Sequence, residues 1–165
     1  MTLTYALAHD MLEALTRARM GYDGDAYAPD ATTTAERLVA AASNAYHGLY
    51  QSPSIFGSNT TYTFSVYLKT TTGGDWFQVW SSYSGDKWAN FNVRTGVTGL
   101  SGGCTPSIQA LGNGWFRCSI TFLLDAIGTV AGQCYLMILP ADQQQAVHLA
   151  TGVGDYHVWG AQPKG

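Results

Sequence analysis

Leu111-Gly112-Asn113-Gly114-Trp115-Phe116-Arg117-Cys118-Ser119-Ile120-Thr121-Phe122 joins a tight turn to a strand, and its reading decides the fold. Gly112-Asn113-Gly114 tolerates positive φ at every position, so the chain can reverse there sharply. Beyond the turn, Phe116, Cys118, Ile120 and Phe122 alternate with Trp115, Arg117, Ser119 and Thr121, the period-two pattern of a strand with one buried face. The same grammar recurs along the chain.

At 165 residues the chain fits one domain with a core of its own. Only 12% of its residues are charged, 46% are hydrophobic and 19 are glycine, which suits many short strands joined by tight turns. The net charge is −3, and Arg17, Arg19, Arg37, Lys69, Lys87, Arg94, Arg117 and Lys164 are scattered. No basic patch results, so nucleic acid is not an expected partner. Cys104, Cys118 and Cys134 form an odd set without C-x-x-C spacing, which argues against a disulfide framework and against zinc. The N-terminus lacks the basic start and apolar run of a signal peptide, and no apolar run approaches the ~18 residues of a membrane span. The expectation is a soluble protein made in a cytoplasm, with no membrane insertion.

Residues 3–20 are read as a helix, with Leu7, Met11, Leu15 and Ala18 on one stripe and Arg17 and Arg19 near its C-terminal end. Such a helix either packs on its own domain or docks on a neighbouring subunit; residues 1–21 are assigned as a helical attachment segment and 22–165 as the jelly-roll module. Strands are expected at Ala35–Val39, Ala45–Gln51, Tyr62–Lys69, Trp76–Tyr83, Lys87–Val93, the stretch after Gly114, Gly132–Leu139 and Asp155–Gln162, with Val97–Ser107 read as a glycine-rich loop. So many strands in a chain of this length predict an all-β, antiparallel two-sheet jelly-roll sandwich with a short N-terminal helix.

The hairpin at 76–93 separates two faces. Phe77, Val79, Ala89, Phe91 and Val93 form an apolar one, and Trp76, Gln78, Trp80, Trp88, Asn90 and Asn92 fall on the other. Tyr67 and Arg117 share that polar-face parity on their own strands. Three indoles and three amides are unusual on a face that meets only water. Sugars offer C–H patches that stack on aromatic rings and hydroxyls that need polar partners, so a glycan site is one reading. A subunit interface is the other, because interfaces are also rich in aromatics.

Thr63-Phe64-Ser65-Val66-Tyr67-Leu68-Lys69, Phe91-Asn92-Val93-Arg94-Thr95-Gly96, Gly112-Asn113-Gly114-Trp115-Phe116-Arg117-Cys118-Ser119 and Tyr156-His157-Val158-Trp159-Gly160-Ala161-Gln162 occur in that order. Together they resemble the series FSVYxK, FxxxTG, GNGWYRxS, WGAQ of bacteriophage virion modules. Those modules are carbohydrate-binding-module-like, concanavalin-type jelly rolls of tail, fibre and head-decoration proteins. Residues 29–38 resemble their APDGTTTADKL lead-in, with Ala31 in place of the usual glycine. The resemblance implies a jelly roll on the virion surface that adheres to cell-surface or mucus glycans and is held by other virion proteins of capsid or tail. A module making up nearly the whole chain suits a decoration or spike protein, and a homotrimer is the expected assembly. The alternative is a capsid cement protein that stabilises the shell through subunit contacts without binding sugar.

Catalysis is not expected. His9, His47, His148 and His157 have no ligand spacing, and neither a Gly-x-Ser-x-Gly elbow nor a phosphate loop occurs. A carboxylate pair for glycoside hydrolysis would have to come from Asp75, Asp86, Asp125 or Asp155, all at turn-like positions. No metal and no cofactor is implied.

Overall fold

The structure is a computed structural model, and it describes residues 27–40, 48–51, 59–82, 85–125, 133–143 and 154–164. The helix read over 3–20, with Leu7, Met11 and Leu15, lies outside these residues. Among those described there is no helix, hence none long and apolar enough to cross a membrane.

Ten strands are described: β1 (Glu36–Val39), β2 (Gly48–Gln51), β3 (Thr60–Thr70), β4 (Trp76–Ser81), β5 (Lys87–Asn92), β6 (Val97–Gly102), β7 (Thr105–Gly112), β8 (Trp115–Leu124), β9 (Cys134–Leu139) and β10 (Asp155–Lys164). They form two five-stranded sheets, ordered β1-β10-β3-β8-β7 and β2-β9-β4-β5-β6, and every pairing is antiparallel. The inner faces meet in one core. Leu38, Phe64, Val66, Leu68, Cys118, Ile120, Phe122, Tyr156 and Val158 come from the first sheet, and Leu49, Phe77, Val79, Ala89, Phe91, Leu136 and Ile138 from the second. Period-two alternation put these side chains inward, and their burial is what holds the sheets together. Phe77 meets Tyr156 edge to face across the gap, with ring centroids 5.3 Å apart, and the Tyr156 hydroxyl donates to the Trp76 carbonyl.

The turn between β7 and β8 has the conformation its residues allow. Gly112, Asn113 and Gly114 have φ of 91°, 52° and 79°, and they close the β7–β8 hairpin beside an irregularity between Ala110 and Gly112. Trp115 turns outward into a small second cluster with Ala28, Ala35, Tyr67 and Trp159. The Trp159 indole donates to Thr34 Oγ1 at 3.1 Å, so the segment at 28–35 is fastened over this end of the first sheet. Ala31 stands there at φ 65°, a left-handed conformation that costs alanine about 1–2 kcal/mol.

The reading of Val97–Ser107 as a loop is corrected. It holds β6 and the first part of β7, which turn at Gly103 and pass from one sheet to the other. Both are edge strands with little to bury, so glycine, serine and threonine leave no apolar alternation to read.

β1 is tied to β10 by Arg37, whose Nε donates to Asp155 at 3.0 and 3.2 Å and whose Nη2 donates at 2.7 Å. Burial alone would raise the Asp155 carboxyl, but bonds from Arg37 and Thr71 and the charges of Arg37 and His157 hold it below the usual carboxylate value. His157, opposite Arg37 in register, is lowered chiefly by burial, with Lys69 and Arg37 acting against the opposite pull of Asp155. Both shifts have one sign: the unfolded chain binds these protons more readily, so stability is full above about pH 6.5 and falls in acid. Urea midpoints are expected to drop from pH 7.5 to 5.5 and again below about pH 4. His157→Gln should remove part of the first decrement and leave the second. A wild-type midpoint unchanged between pH 7.5 and 5.5 would contradict this assignment.

Candidate ligand-binding face

The β4–β5 hairpin carries the expected faces. Phe77, Val79, Ala89 and Phe91 are fully buried inside. On the outer face Trp76 pairs with Asn92, Gln78 with Asn90, and Trp80 with Trp88. Register extends each row across the sheet. Tyr135 of β9 lies beside Trp80, Tyr50 of β2 beside Tyr135, and Gly102 of β6 beside Trp88. Four adjacent strands thus present Tyr50, Tyr135, Trp80 and Trp88 in one transverse row about 14 Å long, taking the usual spacing of strands.

The amides do not belong to an open surface. Gln78 is 2% exposed and Asn90 0%, and Gln78 Nε2 donates to Asn90 Oδ1 at 2.8 Å. Asn90 Nδ2 donates in turn to Asp142 Oδ1 at 2.8 Å and to the Gln143 carbonyl at 2.9 Å. The Asp142 carboxylate also accepts the Leu100 N–H at 2.9 and 3.2 Å. Residues 140–143 therefore lie across the outside of the second sheet and latch β5 to β6. Asn92 Oδ1 accepts the N–H groups of Arg94 and Thr95, which shapes the turn after β5. Every amide of the face is spent within the fold. Trp76 is also committed, packing with Met137 and Leu139 and lying so close to Gly99 that a Cβ there would come within 2.5 Å of its ring.

Trp80 and Trp88 are treated differently by their neighbours. The Trp80 ring stacks on Tyr135 at 4.5 Å and 24°, and Tyr135 meets Tyr50 at 5.7 Å and 33°. Burial, then the adjoining Tyr50, raises the Tyr135 phenol, which donates to Gln133 Oε1. Trp88 leans the other way, over Gly102, where an added Cβ would stand 2.7 Å from its Nε1. Among the described residues the two indoles make no ring contact with each other, although they are direct cross-strand partners. Both remain partly exposed. At the hairpin end Trp80 Nε1 donates to Asp86 Oδ1 at 3.2 Å, and that carboxylate is exposed. Lys87 has the opposite parity and lies along Gly103 near Cys104, whose thiol burial pushes up to about 11 against the pull of Lys87.

Tyr67 and Arg117 are corrected in position. They are cross-strand partners on β3 and β8, so they sit outside the first sheet, on the far side of the sandwich from Trp80 and Trp88. Tyr67 packs edge to face on Trp159 at 5.0 Å. Parity along a strand gives the face but not the sheet to which the strand belongs. Tyr135 is not legible in the sequence, since Cys134-Tyr135-Leu136-Met137-Ile138-Leu139 reads as one apolar run in which parity is invisible, and Tyr50 sits on a strand of only four residues.

The acidic candidates are each engaged or at a strand end. Arg94 Nε donates to Asp75, Arg37 holds Asp155, and Asp125 follows β8. Asp75 and Asp86 stand at opposite ends of the β4–β5 hairpin. Among the described residues no group of three or more His, Cys, Asp or Glu could hold a metal ion, and the three cysteines are free thiols.

No protein-family model matches the chain, and no curated protein matches it.

Proposed function

We propose that this chain is a phage virion accessory protein, a decoration or spike whose jelly-roll-connected sandwich adheres to cell-surface or mucus glycans without catalysing a reaction. The observation that carries the reading is the pair Trp80 and Trp88, partly exposed opposite one another on the outside of a sheet and not packed together. Partly exposed indoles of this kind offer apolar surface to a flat, C–H-rich ligand, while Trp80 also packs on the Met137 and Leu139 cluster. The phage setting rests on the ordered motifs, which fall on β3, on β5 and its turn, on the β7–β8 turn, and on β10. Copies arrayed on a particle, each itself a homotrimer, would turn weak sites into firm adhesion.

Cement function is the second reading, and a specific observation favours it. Val97 and Leu100 on the edge strand β6 are 48% and 50% exposed, a surface suited to subunit contact. Particles made with and without the protein separate the two. Adhesion predicts that particles lacking it stay intact on warming but are retained at least about tenfold less on a mucin-coated surface. Particles that fall apart while retention of the survivors is unchanged would establish cement function instead.

A further inference from the structure

We infer that the outer face of the first sheet holds a second ligand site, in which Arg117, flanked by Tyr67 and Gln109, binds the carboxylate of an acidic sugar. This surface lies on the opposite side of the sandwich from the indoles of the β4–β5 hairpin, so either site can fail without the other. Tyr67 of β3 pairs with Arg117 of β8, and Arg117 with Gln109 of β7. Direct partners on adjacent strands stand side by side on one face, so a phenol, a guanidinium and an amide form one transverse row about 10 Å long. Gln109 is exposed, and Tyr67 and Arg117 are partly so.

The polar groups of this row are not consumed by the fold as Gln78 and Asn90 are. Among the described residues the Tyr67 hydroxyl, the Arg117 guanidinium and the Gln109 amide have no hydrogen-bond or ion-pair partner. Aromatic packing positions the phenol instead. Its ring meets Trp159 edge to face at 5.0 Å, and a Cβ added at Gly160 would come within 3.2 Å of it. Buried Trp115, two residues before Arg117 on the same face of β8, belongs to the same cluster. The ring is thus fixed while the hydroxyl is left for a ligand.

Charge selects that ligand. Lys69 shares the face of Tyr67 on β3 and lies along Gly114, and its register partner is His157, with Arg37 beyond. Of the described carboxylates on this side of the sandwich, Asp155 is held by Arg37 and Asp30 accepts from Thr32. Arg117 and Lys69 therefore give this face positive charge on a chain whose net charge is −3. A guanidinium fork takes a carboxylate through two parallel bonds, and a neutral sugar offers no such partner. One guanidinium with a phenol on one side and an amide on the other matches a single carboxylate flanked by hydroxyls, the arrangement on a sialic or uronic acid ring.

The test titrates the whole ¹⁵N-labelled chain with sialyllactose, with a tetrasaccharide alternating glucuronic acid and N-acetylglucosamine, and with neutral lactose. The Trp159 indole signal, beside Tyr67, should move and saturate with an acidic chain, and lactose should bind there at least about tenfold more weakly. Arg117→Ala should weaken acidic binding at least about tenfold, and Arg117→Lys, which keeps the charge but not the fork, about threefold or more. Tyr67→Phe, which keeps the ring on Trp159, should cost about threefold or more. Thermal melts keep these losses apart from misfolding, and Tyr67→Phe keeps the proposal testable if the Arg117 variants unfold. Lactose bound at Trp159 as firmly as the acidic chains, or acidic binding indifferent to Arg117 and Tyr67, would overturn the site. Movement of Trp80 and Trp88 alone would overturn it and leave the indole face standing, and no movement with any of the three would count against both.

Discussion

Phe77→Ala is expected to destabilise the protein by about 3–5 kcal/mol, the range for deleting a buried phenylalanine. Phe77 is fully buried in a central strand of the second sheet, paired with Phe91, and its ring meets Tyr156 of the first sheet edge to face. Truncation leaves a cavity where the sheets face each other and removes an aromatic contact that spans them. A collapse of β4 inward would carry Trp76, Gln78 and Trp80 with it, so the outer face cannot adjust without cost. Urea unfolding checks this: the midpoint should fall with the slope against urea unchanged. A loss below about 1 kcal/mol would mean that the sheets are not held together at this point.

Asn90→Leu is the second large effect, expected at about 2–4 kcal/mol although the substitution adds apolar volume. The side chain it removes is fully buried, accepts from Gln78, and donates to Asp142 and Gln143. Leucine leaves the buried Gln78 amide and the Gln143 carbonyl without those bonds, and an unmade bond in the interior costs more than a made one contributes. The segment at 140–143 should also loosen, since among the described residues the Leu100 N–H would then be the remaining donor to Asp142. Urea unfolding gives the first quantity, and amide exchange at Leu100, faster in the variant, gives the second. If stability and exchange were both unchanged, Asn90 would be a surface amide after all, as its outward parity suggests.

Asn90 also shows where the sequence is and is not legible. Alternation placed it on the outer side of β5, and it is there; what covers that side is chain 52 residues later, which no local pattern reports. The strands with an alternating apolar face were readable for the same reason that they are stable: β3, β4, β5 and β8 have apolar side chains at every second position. β6 and β7, at the edges, have no such demand on their residues and were lost in a glycine-rich loop. β9 is apolar on both sides, because Met137 and Leu139 are buried on the outside as well, and this hid Tyr135. Sheet membership was beyond reach too, since Tyr67 and Trp80 share a parity and lie on opposite sides of the molecule.

The aromatic half of the face was legible and the amide half misled. Trp80 and Trp88 are paired and partly exposed as their positions imply, whereas Gln78, Asn90 and Asn92 serve the fold. Asp86, by contrast, is exposed, and its carboxylate accepts the Trp80 indole N–H.

The five tryptophans give five indole N–H signals, and following them by ¹⁵N-resolved nuclear magnetic resonance during a titration with soluble desialylated mucin glycans tests the central claim most directly. The signals of Trp80 and Trp88 should move together and saturate, while those of Trp115 and Trp159, outside the other sheet, stay still. Movement confined to Trp115 and Trp159, or no movement at saturating glycan, would contradict the claim that this hairpin is a sugar-binding face.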